Sequence, residues 1–304
     1  MQKVACVIPT YNARSCISLL LASLEIQDAK FDIIVVDSSS TDGTYETLTS
    51  TKIIRYLDKI ESSDFNHGGT RQRMVEKYPD YDVYIYLTQD AILSEVDSIR
   101  RISSYFLDPD IGAVCARQLP HSDASKIAIH ARQFNYPPNV VVKDRAAIPA
   151  MGIKAAFMSN SFSAYRKSAL ESVGGFPSNV ILGEDMYVAA KMILQGWKIV
   201  YAGDVRCFHS HNYTVLEEFK RYFDTGVFHA QEPWILSSFG GPRGEGFRFV
   251  RSELKFFGIF RVYLWPNLVF RNFAKILAYK LGRSEKRLPL GIKRRVSMHR
   301  RFWK

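Results

Sequence analysis

The 304-residue chain is poor in cysteine. Its four, Cys6, Cys16, Cys115 and Cys207, are scattered and never form a Cys-x-x-Cys pair. That excludes a disulfide framework and a thiolate zinc site, and it fits a reducing cytosol. No apolar run approaches the roughly 20 residues that cross a bilayer, and no apolar signal region with a cleavage site is present. A soluble or peripheral protein is expected. No Gly-x-Gly-x-x-Gly follows the first strands and no Gly-Lys-Ser/Thr loop occurs, which argues against dinucleotide oxidoreductases and P-loop enzymes. Internal repeats and low-complexity blocks are also absent.

What is present is a large core and an uneven charge. The composition is 47% hydrophobic with 13% aromatics, enough to bury a full core and too apolar for disorder. The formal net charge is +11. Between Arg283 and Lys304 stand nine Lys or Arg and one acid, Glu285, so +8 of the +11 lies in this tail. Such a run favours a polyanion: an anionic membrane leaflet, nucleic acid or an acidic substrate. No nucleic-acid module accompanies it, so nucleic acid is set aside.

The first half alternates strand and helix. Apolar runs at 3–9 and 31–37 read as strands covered on both faces, with further strands at 52–57 and 81–88. Helical spacing covers 13–26, 44–49, 69–77 and 96–107. This is the parallel α/β pattern. A strand follows at 111–117. The stretch 118–159, with Pro120, Pro137, Pro138 and Pro149, reads as a helix over 124–134 and then a loop long enough to suggest binding. Beyond it come a strand at 161–165, helices at 167–173 and 184–195, and short strands at 197–201 and 205–209. An aromatic amphipathic helix at 215–230 and helices over 247–281 broken at Pro266 complete the pass.

In a parallel sheet, ligands bind beyond the carboxyl ends of the strands. Pro9-Thr10-Tyr11-Asn12 and Asp37 fall at two such ends. Asp37 can accept from a pyrimidine N–H or a ribose hydroxyl, or simply cap a turn; the segment 9–12 beside it favours the ligand. Asp42 reads as a helix cap. Phe65-Asn66-His67-Gly68-Gly69-Thr70-Arg71 leads into a helix, and its backbone N–H groups and Arg71 suit a diphosphate. Asp90, in Thr88-Gln89-Asp90, can hold ribose or a divalent cation, Mg2+ or Mn2+. His211, ahead of His209, can assist there as a metal or phosphate ligand. Gly183-Glu184-Asp185 opens a helix. Acids there can merely stabilise the helix dipole, but Asp185 can also act as a general base that takes the proton of an acceptor hydroxyl.

The ordered set Pro9-Thr10-Tyr11-Asn12, Asp37, Thr41-Asp42-Gly43, Asp90, Arg166, Gly174-Gly175-Phe176, Glu184-Asp185, Gly196-Trp197 and His211 resembles family 2 glycosyltransferases of the GT-A fold, over roughly the first 215 residues. Segments 65–71 and 88–90 resemble bacterial rhamnosyltransferases that build O-antigen and other surface polysaccharides. The resemblance implies an α/β GT-A domain, Rossmann-like with a mostly parallel sheet flanked by helices, over 1–230; the aromatic and basic pattern beyond it is expected to form a helical, basic membrane-contact region over 231–304. The resemblance also implies a nucleotide-sugar donor, dTDP-L-rhamnose, held by Pro9, Thr10, Tyr11, Asn12, Asp37, Arg71, Asp90 and Glu184. It implies inversion with Asp185 as base, a cation at Asp90 and His211, and a lipid-linked oligosaccharide acceptor at an anionic cytoplasmic leaflet. Asp90 stands alone where metal-dependent relatives commonly carry Asp-x-Asp. A hexosyltransferase using a UDP-sugar, and a non-catalytic nucleotide-sugar-binding subunit, are the alternatives; a homodimer is compatible with either. Aromatic and aliphatic residues from Phe256 to Trp265, with interspersed Arg and Lys, suit a membrane interface. Deleting 283–304 is therefore expected to release the protein from membranes and spare turnover.

Overall fold

The structure is a computed structural model that describes residues 2–241, 244–258 and 263–303. Strands β1 (Val4–Thr10), β2 (Asp32–Asp37) and β4 (Val83–Leu87) are almost wholly buried. Their side chains alternate between two cores, as a period of two requires. Val4, Cys6 and Ile8 meet Leu20 and Leu24 of helix α1 (Ile17–Glu25) on one face. Ala5 and Val7 meet Met74 and Val75 of helix α3 (His67–Lys77) on the other. With β3 (Ile54–Lys59), these strands form a parallel block in the order β3-β2-β1-β4. The register sets Thr10 beside Asp37 and Asp37 beside Lys59, so their carboxyl ends share one edge.

The rest of the sheet is mixed. β8 (Phe162–Arg166) runs antiparallel to β4, and β6 (Ile111–Leu119) antiparallel to β8 and parallel to β9 (Lys198–Phe208). Short β5 (Ile92–Leu93) and β7 (Val141–Lys143) pair antiparallel with β9. The antiparallel β4–β8 pair matters most for the site. Leu87 lies opposite Phe162, which brings the entry into β8 against the exit from β4.

Several boundaries differ from the sequence expectation. The two short strands at 197–201 and 205–209 are one strand, β9, whose pairing with β6 shifts register at Ala116/Arg117. The stretch 118–159 is not mainly loop. It holds α5 (Lys126–Asn135), β7, a 3-10 turn and α6 (Ile148–Met151), tied down where Tyr201 donates to the Pro137 carbonyl at 2.7 Å. Pro266 breaks nothing. It sits in the first turn of α12 (Trp265–Arg283), where no N–H is needed. The preceding helix, α11 (Glu245–Phe257), ends earlier. Ile259, Phe260 and Arg261, part of the expected interfacial cluster, lie outside the described residues.

The basic tail does not hang free. α12 packs along α9 (Val215–Gln231) so closely that a Cβ on Gly282 would come within 2.0 Å of the Phe223 carbonyl. Beyond α13 (Leu290–Val296), Asp224 Oδ2 of α9 accepts the backbone N–H groups of Met298 (2.8 Å) and His299 (3.2 Å). Trp303 is buried in the same core as Phe223. The expectation of a dispensable tail is corrected on this ground, because its last turn fills core volume. Among the described residues no helix is long and apolar enough to cross a membrane.

Candidate active site

Three groups of side chains gather at the carboxyl edge of the sheet. The first zips the β1 and β2 exits together. Asp37 Oδ2 accepts from the hydroxyls of Thr10 (2.9 Å) and Ser40 (2.6 Å), and Oδ1 from Ser40 N (2.9 Å). Asn12, at positive φ, donates its N–H to Ser40 Oγ and accepts from Thr41 N with Oδ1. Asp42, expected as the cap of α2 (Thr44–Thr49), stands one residue before the N-cap Gly43, and its Oδ1 accepts from the N–H (3.1 Å) and hydroxyl (2.6 Å) of Thr44, holding the turn into the helix. Asp37 is fully buried, so its first task is to shape this edge. Tyr11 faces outward, 46% exposed, with its backbone clamped by the Gln89 amide. The buried Ser38 hydroxyl beside Asp37 has no hydrogen-bond partner among the described residues, a polar group left open at this edge.

The second group is Asp90, His209 and His211, whose ligand-type atoms lie within 4.8 Å of one another. Asp90 Oδ2 is 3.5 Å from His209 Nε2 and 3.8 Å from His211 Nδ1. The pairing of β5 with β9 places Asp90, two residues before Ile92, beside the residues that follow Phe208. His209, ranked behind His211 from sequence, is the better anchored of the two. Gln118 Oε1 takes a guanidinium N–H from Arg132 (2.7 Å), so it is an acceptor, and His209 Nδ1 must donate to it at 2.9 Å. That tautomer leaves Nε2 as a bare lone pair facing a carboxylate. Burial pushes His209 down to about 3 and also lowers His211, so both rings are neutral at pH 7. Burial pushes Asp90 up, but the charge that His209 and His211 carry when protonated, with hydrogen bonds from Thr88 and from the backbone, together hold its carboxyl below the usual value. A lone pair, a second imidazole and an ionised carboxylate crowded together fit a divalent cation.

The third group is the acid pair at the start of α8 (Glu184–Leu194). Glu184 Oε1 receives Arg71 Nη1 at 3.0 Å and the Asn160 amide at 2.9 Å. Arg71 also donates to the His67 carbonyl at 2.7 Å and is almost fully buried. This differs from the expected open, diphosphate-facing arginine. The glycines of 65–71 lie inside the helix rather than in a loop, with Asn66 as N-cap. A Cβ on Gly68 would meet the Pro177 carbonyl at 1.9 Å, so these glycines serve close packing. Arg71 is the counter-ion of Glu184, and Glu184, grouped with the donor contacts from sequence, is buried with it. Burial raises Glu184, but Arg71 and then His67 hold it below its ordinary value.

Asp185 is held differently. Its Oδ1 accepts from Met186 N (2.7 Å) and its Oδ2 from Asn160 N (3.2 Å), and no cation pairs with it among the described residues. Burial, and second the charge of Glu184, push it up to about 7. Two adjacent carboxyls are thus driven apart, one kept ionised as structure and one poised to exchange a proton near neutrality.

Asn160 and Ser161, absent from every sequence motif, join these groups. Asn160 is fixed by Ser163 and Tyr165, which both donate to its Oδ1. Its side chain serves Glu184 and its backbone serves Asp185. Ser161 lies 3.4 Å from His209 Nε2, and its carbonyl accepts from Thr88 N. Adjacent residues therefore span Asp185 and the metal-type cluster. The only sequence signal was a polar trio, Ser159-Asn160-Ser161, before an apolar strand.

This geometry has counterparts. The profile of Glycosyl transferase family 2 matches residues 5–174. The chain is 50% identical over 302 residues to the O-antigen chain rhamnosyltransferase RfbN of Salmonella typhimurium (strain LT2), covering 99% of this chain and 96% of that one. It is 45% identical over 308 residues to the O-antigen chain rhamnosyltransferase WbaN of Salmonella anatum, covering 100% and 96%. Among solved structures, the mannosyltransferase PcManGT from Pyrobaculum calidifontis, in complex with GDP-Man and Mn2+, superposes with a TM-score of 0.63 at 17% identity, over 94% of this chain and 86% of that one. At that identity the likeness speaks for the fold alone.

Proposed function

The chain belongs to glycosyltransferase family 2, and on that premise we propose that it transfers L-rhamnose from dTDP-L-rhamnose to a lipid-linked oligosaccharide in surface polysaccharide synthesis. The observation that carries this reading is the end-to-end identity to two proteins named O-antigen chain rhamnosyltransferases. Asp185 Oδ takes the proton of the acceptor hydroxyl as that oxygen bonds to the anomeric carbon. The bond from that carbon to the diphosphate oxygen breaks on the opposite face, its electron pair leaves with the nucleoside diphosphate, and the configuration inverts. Asn160 orients Asp185, and Arg71 keeps Glu184 ionised beside it. The nucleoside lies along the Thr10–Asp37 edge, with Tyr11 as the exposed ring available to stack on the base and the open Ser38 hydroxyl nearby.

Asp90, His209 and His211 would hold a divalent cation, whose chemistry is to neutralise the departing diphosphate. Two imidazoles with one carboxylate favour Mn2+ over Mg2+. Membrane contact is assigned to α12. Val269, Phe270, Phe273, Ile276 and Leu277 line one face at helical spacing and are 48–68% exposed. Glu253 and Glu285 are buried, whereas Lys280, Arg283, Lys286 and Arg287 are exposed. An apolar face rimmed by cations suits an anionic bilayer on the cytoplasmic side, and like charge disfavours its pairing with a second copy. Phe270→Asp with Phe273→Asp should abolish flotation with phosphatidylglycerol vesicles; unchanged flotation would remove α12 from the membrane.

The test of the reaction is turnover of a panel of nucleotide sugars, with and without Mn2+, watching hydrolysis and transfer to a lipid-linked extract. Turnover of dTDP-L-rhamnose alone is expected. Turnover of a UDP-sugar instead would retain Asp185 as base and overturn the donor.

A further inference from the structure

We propose that the cleft between the Ser62–Ser63 turn and the C-terminal tail is a second binding site, for a phosphate or diphosphate ester. The cleft measures about 540 Å3 and is lined by Ser62, Ser63, Arg294, Arg300, Arg301 and Trp303. Its three arginines are exposed, and none pairs with a carboxylate among the described residues. Two are oriented by the protein: Arg301 Nη1 donates to the Ser62 carbonyl at 2.7 Å and Arg294 Nε to the Trp303 carbonyl at 3.0 Å. Their remaining N–H groups, and all those of Arg300, stay available. Trp303 is nine-tenths buried, yet its indole N–H has no acceptor. Three guanidiniums drawn together without a counter-ion among the described residues repel one another, and their planar donor forks match phosphoryl oxygens. Two serines add polar groups to the wall, the Ser63 hydroxyl donating to Asp64 Oδ1 at 3.4 Å.

The position gives the cleft a purpose. The turn lies between β3 and α3, at the carboxyl edge that carries the reaction site. It starts at Ile60, whose N–H bonds the Asp37 carbonyl, and runs to His67, whose ring packs edge-on against His299 of the tail at 5.0 Å. On the other side, α13 carries exposed Leu290 and Ile292 together with Arg294. The cleft therefore stands between the reaction site and an apolar surface, where a lipid-borne phosphate would arrive. This assignment rests on the proposed transfer to a lipid-linked acceptor. The diphosphate joining acceptor to lipid, and phospholipid head groups, share the required chemistry.

The experiment compares Arg300→Glu with Arg295→Glu, an exposed arginine of α13 outside the cleft, in the full-length protein. Calorimetric titration with inorganic pyrophosphate, with dTDP saturating so that the donor's own phosphate site is filled, should show about tenfold or more weaker binding for Arg300→Glu alone, the loss of a charge-assisted contact. If the acceptor is the source, KM for a diphosphate-linked acceptor rises and that for a neutral oligosaccharide acceptor does not. If head groups are the source, both KM values hold and flotation with phosphatidylglycerol vesicles falls. Absent pyrophosphate binding, or equal weakening by both variants, overturns the site. Failure of every donor would overturn the rhamnosyl reading and leave the pyrophosphate result standing on its own.

Discussion

Asp185→Asn should make the protein inactive and, above neutral pH, more stable. The carboxyl rises from 3.8 to about 7 on folding, a gap of about 3 units at ~1.4 kcal/mol each, or ~4 kcal/mol. Below about pH 4 both folded and unfolded chains hold the proton, and the group contributes nothing. Between 4 and 7 the unfolded chain ionises first while the folded one keeps its proton, so stability falls as pH rises. Above 7 the whole penalty is present. Asparagine never ionises and can still accept from Met186 N, but its contact with Asn160 N is put at risk, which costs about 1 kcal/mol. The net gain is ~3 kcal/mol above pH 7, equivalent to roughly 6 °C in melting temperature for a chain of this size, and near pH 4 it turns into a deficit of about 1 kcal/mol, the lost contact alone. Melting both proteins from pH 4 to 8, with transfer rates alongside, measures it. Turnover should drop about 10²- to 10⁴-fold with donor binding retained. A stability gap that does not change with pH would refute the strained carboxyl, and normal transfer by the variant would refute the base.

Glu184→Gln removes the charge that helps raise Asp185, so the acid limb of the pH–rate profile should move to lower pH. The same change strands Arg71 in the interior at a cost of about 3–5 kcal/mol, read by urea denaturation. Asp90→Asn and His209→Ala should each abolish tight Mn2+ binding in calorimetry, whereas His211→Ala, on the more exposed ring, should only weaken it; equal losses in all three would contradict the anchoring of His209 by Gln118. Truncation after Ser284 removes Trp303 from the core and both backbone donors from Asp224. It should cost at least the ~3–5 kcal/mol of a lost buried tryptophan and take activity with it; a stable, active truncation would show that the tail is only an appendage.

Much of this site was legible in the chain. Apolar runs covered on both sides specified the parallel block, and Asp37, Asp90 and Asp185 sit at the ends of elements, where punctuation by Pro, Gly and polar residues is easy to read. Expectation failed where meaning depended on what lay opposite. The glycines before Arg71 read as a phosphate-binding lead into a helix, yet both lie within the helix, and Gly68 is glycine because the Pro177 carbonyl leaves no room for a Cβ. His209 looked secondary, and it becomes a ligand candidate only because Gln118, 91 residues earlier in the chain, fixes its tautomer. Asn160 belonged to no motif. The basic tail had only its charge to speak for it, and that charge says nothing of the buried Trp303 at its end.

The sequence by itself determined the α/β class and the family, and it marked the strand ends and the carboxylate, Asp185, on which the proposed chemistry rests, because these follow from local periodicity and from residue types at element ends. Tertiary structure alone decided which charges are free to act. Antiparallel pairing of β8 with β4 carries Asn160 to the acid pair, packing buries Arg71 against Glu184, and folding back of the tail gathers three arginines beside Ser62 with no carboxylate partner among the described residues. Protonation and charge depend on neighbours in space, and those neighbours come from parts of the chain that local patterns cannot connect.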